Sequence, residues 1–167
     1  RGELEISDAH TYLIEHGYRV GYKEVTGWWK DTGKPEDLME GNGLVLSSLR
    51  EGKVLGQVDK TSTVQGKVMV GEGSKILENS VVRGPSVIGR ECVLKNSYIG
   101  PYTSIGNKVR IINSEIENSI VFDNAEITCG QRITDSLIGT GAVIKPAGST
   151  WPSGHKLIIG DQSSIEL

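Results

Sequence analysis

From about residue 62 to residue 146, aliphatic side chains return every five or six positions, and in steps of 16 to 18 residues they fall into three columns. The first column holds Val64, Val82, Ile99, Ile116 and Ile133, the second Val70, Ile88, Ile105, Val121 and Ile138, the third Ile76, Leu94, Ile111, Ile127 and Ile144. A frame free to step by five or six needs an independent check, and the residue two places before each column position supplies it. Those residues are Ser62, Val68, Ser74, Ser80, Ser86, Cys92, Ser97, Thr103, Val109, Ser114, Ser119, Ala125, Gln131, Ser136 and Ala142, all small or short-branched except Gln131. Positions i and i−2 share one side of a strand, so each hexad sends one large and one small residue inward. Asn79, Asn96, Asn113 and Asn118 precede small serines, at corners that call for turn or left-handed backbone. An internal repeat of this kind predicts a mainly β fold, a parallel β-helix of about five triangular coils, with each coil paired to the next. Spacing alone sets no hand. The open ends need covers, assigned to residues 44–60 and 149–167.

Residues 1–46 follow a different rhythm and predict a small α/β region. Ser7 suits an N-cap, Ala9, Tyr12, Leu13 and His16 recur at helical spacing, and Gly17 sits at the C-terminal cap. Tyr18, Val20 and Tyr22 alternate with polar residues or glycine, the pattern of a half-buried strand. A second helix is expected from Pro35, with Glu36 and Asp37 in its first turn and Leu38, Val45 and Leu49 on its apolar side. Gly41 and Gly43 weaken that helix by roughly 1 kcal/mol each relative to Ala. The expected organisation is an α/β remnant over 1–46, a linker or end cap over 47–60, the β-helix over 61–148 and a tail or cap over 149–167.

Composition narrows the function. The chain has 167 residues, a net charge of −3 and only two cysteines, with 22 glycines favouring short strands and tight turns. No single-sign field draws it to nucleic acid or an anionic membrane. Cys92 and Cys129 are too few for a disulfide framework or a zinc site, which fits a reducing, cytoplasmic setting. Cys92 falls on an inward small position, Cys129 outside both frames. No apolar run is long enough for a membrane span, and no basic-then-apolar leader opens the chain. It begins Arg1-Gly2-Glu3 without Met, so it is expected to be a piece of something longer.

Arg1-Gly2-Glu3-Leu4-Glu5-Ile6-Ser7-Asp8 and Trp29-Lys30-Asp31-Thr32-Gly33-Lys34-Pro35, together with the hexads, carry a resemblance across essentially the whole chain. The sequence resembles the sugar-1-phosphate nucleotidyltransferases, and among them the subfamily of long-form glucose-1-phosphate thymidylyltransferases, in which a left-handed β-helix follows the catalytic domain. The resemblance implies a left-handed coil, and transfer of a nucleotidyl group from dTTP or another NTP to a sugar 1-phosphate, with Mg²⁺, releasing pyrophosphate. It makes Asp31 a metal-binding carboxylate, Arg1 a holder of the sugar phosphate and Glu3 a neighbour of the sugar hydroxyls. The family's G-x-G-T-R-L nucleotide loop, second metal aspartate and E-K-P lysine do not occur in the chain, so no complete catalytic set is expected here and no transferase activity from these residues alone.

Two other classes compete. Hexapeptide β-helices are similar to those of acyltransferases, which use a histidine base beside the coils; residues 60–150 hold no histidine, leaving His155 in the tail. The same count excludes a carbonic anhydrase of this fold. His10 and His16 stand six apart, wrong for shared metal ligation on one helix face. The third class is a non-catalytic assembly or regulatory module. Outward-facing Met69, Val87, Ser104, Ile120 and Leu137 line up along one edge, and four of the five are apolar. Such a stripe predicts a contact surface, and Met69, Val87, Ile120 and Leu137 are the candidate residues of a homo-oligomer interface. Trp28 and Trp29 read as packing residues for strand and helix.

Overall fold

Stacking three aliphatic columns requires every strand to pair in parallel with the strand one coil later, and that is the register found in the computed structural model, which describes residues 5–27, 29, 31, 33–146, 148 and 164–165. Val64, Val82, Ile99, Ile116 and Ile133 are successive Cα partners. So are Val70, Ile88, Ile105, Val121 and Ile138, and Ile76, Leu94, Ile111, Ile127 and Ile144. The three parallel sheets hold six, six and five strands. Along the columns, side chains from Val70 to Ile127, and Ile138 after them, are buried, Ile133 is partly buried, and the small inward positions from Val68 to Ala125 are buried with them.

The inward serines do more than leave room. At one corner Ser62 Oγ accepts from Ser80 N–H, Ser80 Oγ from Ser97 N–H, and Ser97 Oγ from Ser114 N–H. Ser80 and Ser97 also donate to backbone carbonyls. Each hydroxyl thus pairs a corner amide that the strand ladder leaves behind, where an unpaired buried group costs about 1–3 kcal/mol. Asn79, Asn96, Asn113 and Asn118 take left-handed φ of 60°, 44°, 50° and 43°. Asn96 Nδ2 donates to Asn113 Oδ1 at 2.9 Å, a rung between coils.

Several expectations need correction. The solenoid starts at Lys53–Val54, which pairs with Met69–Val70, and Gln57–Val58 pairs with Lys75–Ile76. Residues 47–60 are therefore largely first coil, and the boundary at 61 falls too late; Val54 and Val58 extend two columns by one step. Cys129 packs against the core with its Sγ 3.7 Å from Ser114 Oγ. The compact units divide after Asp31, not after residue 46.

Within the first unit, helix α1 runs Ile6–Glu15 with Glu5 at the N-cap position. Ser7 lies inside the helix and its hydroxyl donates to the Glu5 carboxylate at 3.3 Å. Gly17 ends the helix at φ +77°, as its position predicts. No strand forms over Tyr18–Tyr22, and every described residue from Glu5 to Asp31 is exposed. A strand needs a neighbouring edge for its backbone groups, and the described part of this unit contains none.

In the second unit, helix α2 spans Pro35–Ser47 with Pro35 at its start. Its inward face is Met39, Asn42 and Leu46, continued by Leu49; Leu46 is 1% exposed. Leu38 and Val45, predicted on the apolar side, are 36% and 53% exposed. The polar Asn42 hid the true stripe.

Candidate functional site

Of the residues singled out for nucleotidyl transfer, Asp31 is described and exposed, beside Trp29 at 74% exposure. Arg1, Glu3, Trp28 and His155 lie outside the described residues. Among the described residues no three His, Cys, Asp or Glu side chains gather as a metal cage. Asp31 is a hard carboxylate, suited to Mg²⁺ as one ligand among several. By itself it does not make a site, and the described residues bring nothing else to it.

The face carrying Met69, Val87, Ser104, Ile120 and Leu137 is occupied at its centre by the chain's own helix. Asn42 of α2 accepts a hydrogen bond from Ser104 Oγ at 2.5 Å and donates from Nδ2 to the Tyr102 carbonyl at 2.9 Å. Met69, Val87, Ser104 and Ile120 are half-buried, while Leu137, at the far end, is 38% exposed. At the middle of the stripe expected as a homo-oligomer interface through Met69, Val87, Ile120 and Leu137, Ser104 is taken by Asn42 of α2. Tyr102 adopts φ 59°, at a corner where the next two coils carry Asn118 and Asp135, also left-handed. A bulky residue in left-handed backbone costs about 1–3 kcal/mol, and here its carbonyl is the one Asn42 caps.

An open groove of about 540 Å³ runs along another corner, lined by Arg90, Glu91, Asn107, Lys108, Asp123 and Asn124. Its polar groups are spent on neighbouring coils: Arg90 N–H donates to Asn107 Oδ1 at 2.9 Å, and Asn107 N–H donates to Asp123 Oδ1 at 2.7 Å. Lys108 pairs with Glu91 at 3.9 Å. Chemically this is the outside of a coil ladder. Above it, a Cβ on Gly89 would meet the Gly106 carbonyl oxygen at 2.4 Å, and one on Gly71 would meet that of Gly89 at 2.4 Å. Only glycine lets these coils close up.

Two ionisable groups are displaced from their usual behaviour. The Asp59 carboxylate accepts from Glu78 N–H at 2.7 Å, from Ser62 N–H at 2.8 Å, and from both the amide and hydroxyl of Thr61. These bonds, Glu78's first, hold its pKa well below the ordinary carboxylate range. It caps the first coil, a role the sequence reading passed over. Burial pushes the Cys92 thiol up, and its Sγ donates to the Gly106 carbonyl at 3.0 Å. A protonated, buried thiol is no nucleophile.

No family model matches the chain. Among individual proteins, it is 41% identical over 167 residues to a glucose-1-phosphate thymidylyltransferase of Streptomyces antibioticus, covering all of this chain and 46% of that protein. It is 44% identical over 168 residues to the low-salt glycan biosynthesis nucleotidyltransferase Agl11 of Haloferax volcanii, covering 100% of the chain and 47% of that protein. A bifunctional sugar-1-phosphate nucleotidylyltransferase/acetyltransferase of Sulfurisphaera tokodaii is 34% identical over 140 residues, 83% of this chain and 35% of that protein. The chain thus spans less than half the length of these curated relatives.

Proposed function

Starting from a chain that matches the C-terminal part of glucose-1-phosphate thymidylyltransferases along its full length, we propose that the whole protein makes a nucleoside-diphosphate sugar, with dTTP and glucose 1-phosphate as first-choice substrates. An oxygen of the sugar phosphate attacks the α-phosphorus in line, the bond to the β-phosphate breaks, and pyrophosphate leaves. Catalysis of this kind is positioning and offsetting of charge. Arg1 holds the sugar phosphate through its guanidinium fork, Glu3 lies by the sugar hydroxyls, and Asp31 supplies one hard ligand to Mg²⁺. The metal, when bound, offsets phosphate charge. The reaction belongs to the cytoplasm, where its nucleotide substrates are made.

The observation that carries this reading is that matches at 41% and 44% identity extend over the whole chain, N-terminal segment and coils together. Acyl transfer by the coils has less support, since residues 60–150 contain no histidine to serve as base. With Ser104 taken by α2, no oligomer contact is proposed there.

The test is pyrophosphate release by the whole protein with Mg²⁺, glucose 1-phosphate and, in parallel, dTTP, UTP, CTP and GTP. Product with dTTP at the highest kcat/KM is expected. Failure with all four nucleotides contradicts the proposal, and turnover by these 167 residues alone contradicts the expectation that they hold no complete catalytic set.

A further inference from the structure

Asparagine followed by glycine is the dipeptide most open to one uncatalysed reaction, because no side chain on the glycine shields its amide nitrogen from the asparagine carboxamide. Of the seven asparagines in the chain, Asn42 alone is followed by glycine. Asn79, Asn96, Asn113 and Asn118 precede serines that are buried. The amides of Ser80, Ser97 and Ser114 are bound, besides, by serine hydroxyls one coil away. Asn107 and Asn124 precede Lys108 and Ala125, whose side chains crowd the amide. The solenoid shelters its own asparagines, and Asn42 stands apart. Gly43 is half-buried, and a Cβ there would meet nothing within 4 Å.

Two restraints hold Asn42. The helical backbone of α2 commits the Gly43 amide to the i→i−4 ladder and turns it from the Asn42 side chain. That side chain is itself fixed from outside the helix, accepting from Ser104 Oγ and donating to the Tyr102 carbonyl. The first restraint is weak where it matters. Gly41 and Gly43 each cost about 1 kcal/mol relative to Ala, and a helix of 13 residues holds in water chiefly through its contacts. The two bonds made by Asn42 are therefore the catch.

We propose that Asn42 is a deamidation site, protected while its amide is bound to Ser104 and Tyr102 and exposed to reaction when α2 opens locally. The Gly43 nitrogen attacks Asn42 Cγ and gives up its proton, the Cγ–Nδ2 bond breaks, and ammonia leaves behind a five-membered succinimide. Water then opens the ring to aspartate or isoaspartate, and nothing is oxidised or reduced. The product cannot remake the catch. A carboxylate has no hydrogen for the Tyr102 carbonyl, so where Nδ2 now donates at 2.9 Å two acceptors would face each other. Isoaspartate also lengthens the main chain by one carbon, which puts the helical ladder after it out of step. Conversion of Asn42 thus releases α2 from the corner at Tyr102 in one direction only.

The experiment incubates the whole protein at mildly alkaline pH beside Ser104→Ala, Gly43→Ala and a free peptide of residues 38–48, and peptide mass spectrometry reads the acid and isoaspartate forms at each asparagine. Conversion is expected at Asn42 ahead of every other asparagine, about tenfold faster in Ser104→Ala, faster again in the peptide, and about tenfold slower in Gly43→Ala. Hydrogen exchange over Pro35–Ser47 is expected to be about tenfold faster in Asn42→Asp than in the parent, with the strands at Ser86–Ile88 and Arg110–Ile112 unchanged. Conversion at Asn42 no faster than at Asn79 or Asn96 overturns the site. A Ser104→Ala protein that converts at the parent rate overturns the catch, and a peptide no faster than the protein overturns the need for opening. Unchanged exchange in Asn42→Asp overturns the release.

Discussion

Residues 53–146 and residues 5–31 are governed by opposite circumstances. In the solenoid each aliphatic side chain meets its equivalents one coil before and after, so Ile76, Leu94, Ile111 and Ile127 are all fully buried. In the N-terminal unit Tyr12, Tyr18, Val20 and Tyr22 are 58%, 64%, 43% and 99% exposed. The N-terminal stretch is the more aromatic of the two and the solenoid is rich in Ile, Val and Ser, yet what decides burial is whether the chain brings its own neighbours. A repeat does so by construction. A helix and an extended segment with one apolar side do not, and they match relatives roughly twice as long as this chain.

That contrast can be broken by substitution. The largest expected effect is Ile111→Ala, which empties a fully buried column position and should cost about 2–5 kcal/mol in urea unfolding; Tyr22→Ala should change stability by less than about 0.5 kcal/mol. Equal effects would dissolve the distinction. Next comes Gly89→Ala, whose methyl meets backbone and forces the coils apart, with about 1–3 kcal/mol of destabilisation. Asn113→Ala should cost about 1–2 kcal/mol for the left-handed corner, and Asn113→Gly should recover most of it. Gly43→Ala should act the other way, since its Cβ would meet nothing within 4 Å, and raise the melting temperature by an amount worth up to about 1 kcal/mol.

Smallest and most local is the acid response of Asp59. Its folded pKa lies below its unfolded value of about 3.9, so its stabilisation is complete above that pH and fades as pH falls through the folded value. Asp59→Asn should speed amide exchange in the first coil at neutral pH and flatten its acid dependence below pH 4 or so, leaving the middle coils alone. A uniform response along the solenoid would contradict a cap confined to its start.

The coils were legible because a two-residue inward pattern repeated along three columns leaves little freedom, and the left-handed corners at Asn79, Asn96, Asn113 and Asn118 could be named in advance. The glycine column was visible as Val70-Gly71, Ile88-Gly89 and Ile105-Gly106 but went unread, because its reason is a close approach of backbone between coils. The face of α2 was misread because its centre is polar: Asn42 belongs inside only given Ser104, sixty-two residues away. The strand expected at Tyr18–Tyr22 has the right alternation and no edge to join. Of the reaction's residues, sequence could nominate Arg1, Glu3 and Asp31 by resemblance; Asp31 alone is described, and nothing within the described chain gathers around it.

The fold rests on aliphatic columns stacked coil upon coil, and dipolar electron paramagnetic resonance tests that stacking most directly. Spin labels at outward Lys75 and Arg110, two coils apart in one sheet, and at Lys75 and Val143, four coils apart, should report backbone separations of about 10 Å and about 19 Å, growing by about 4.8 Å per coil, in a Cys129→Ser background. Distances that fail to grow in equal steps, or a pair beyond about 30 Å, would contradict the stacked solenoid.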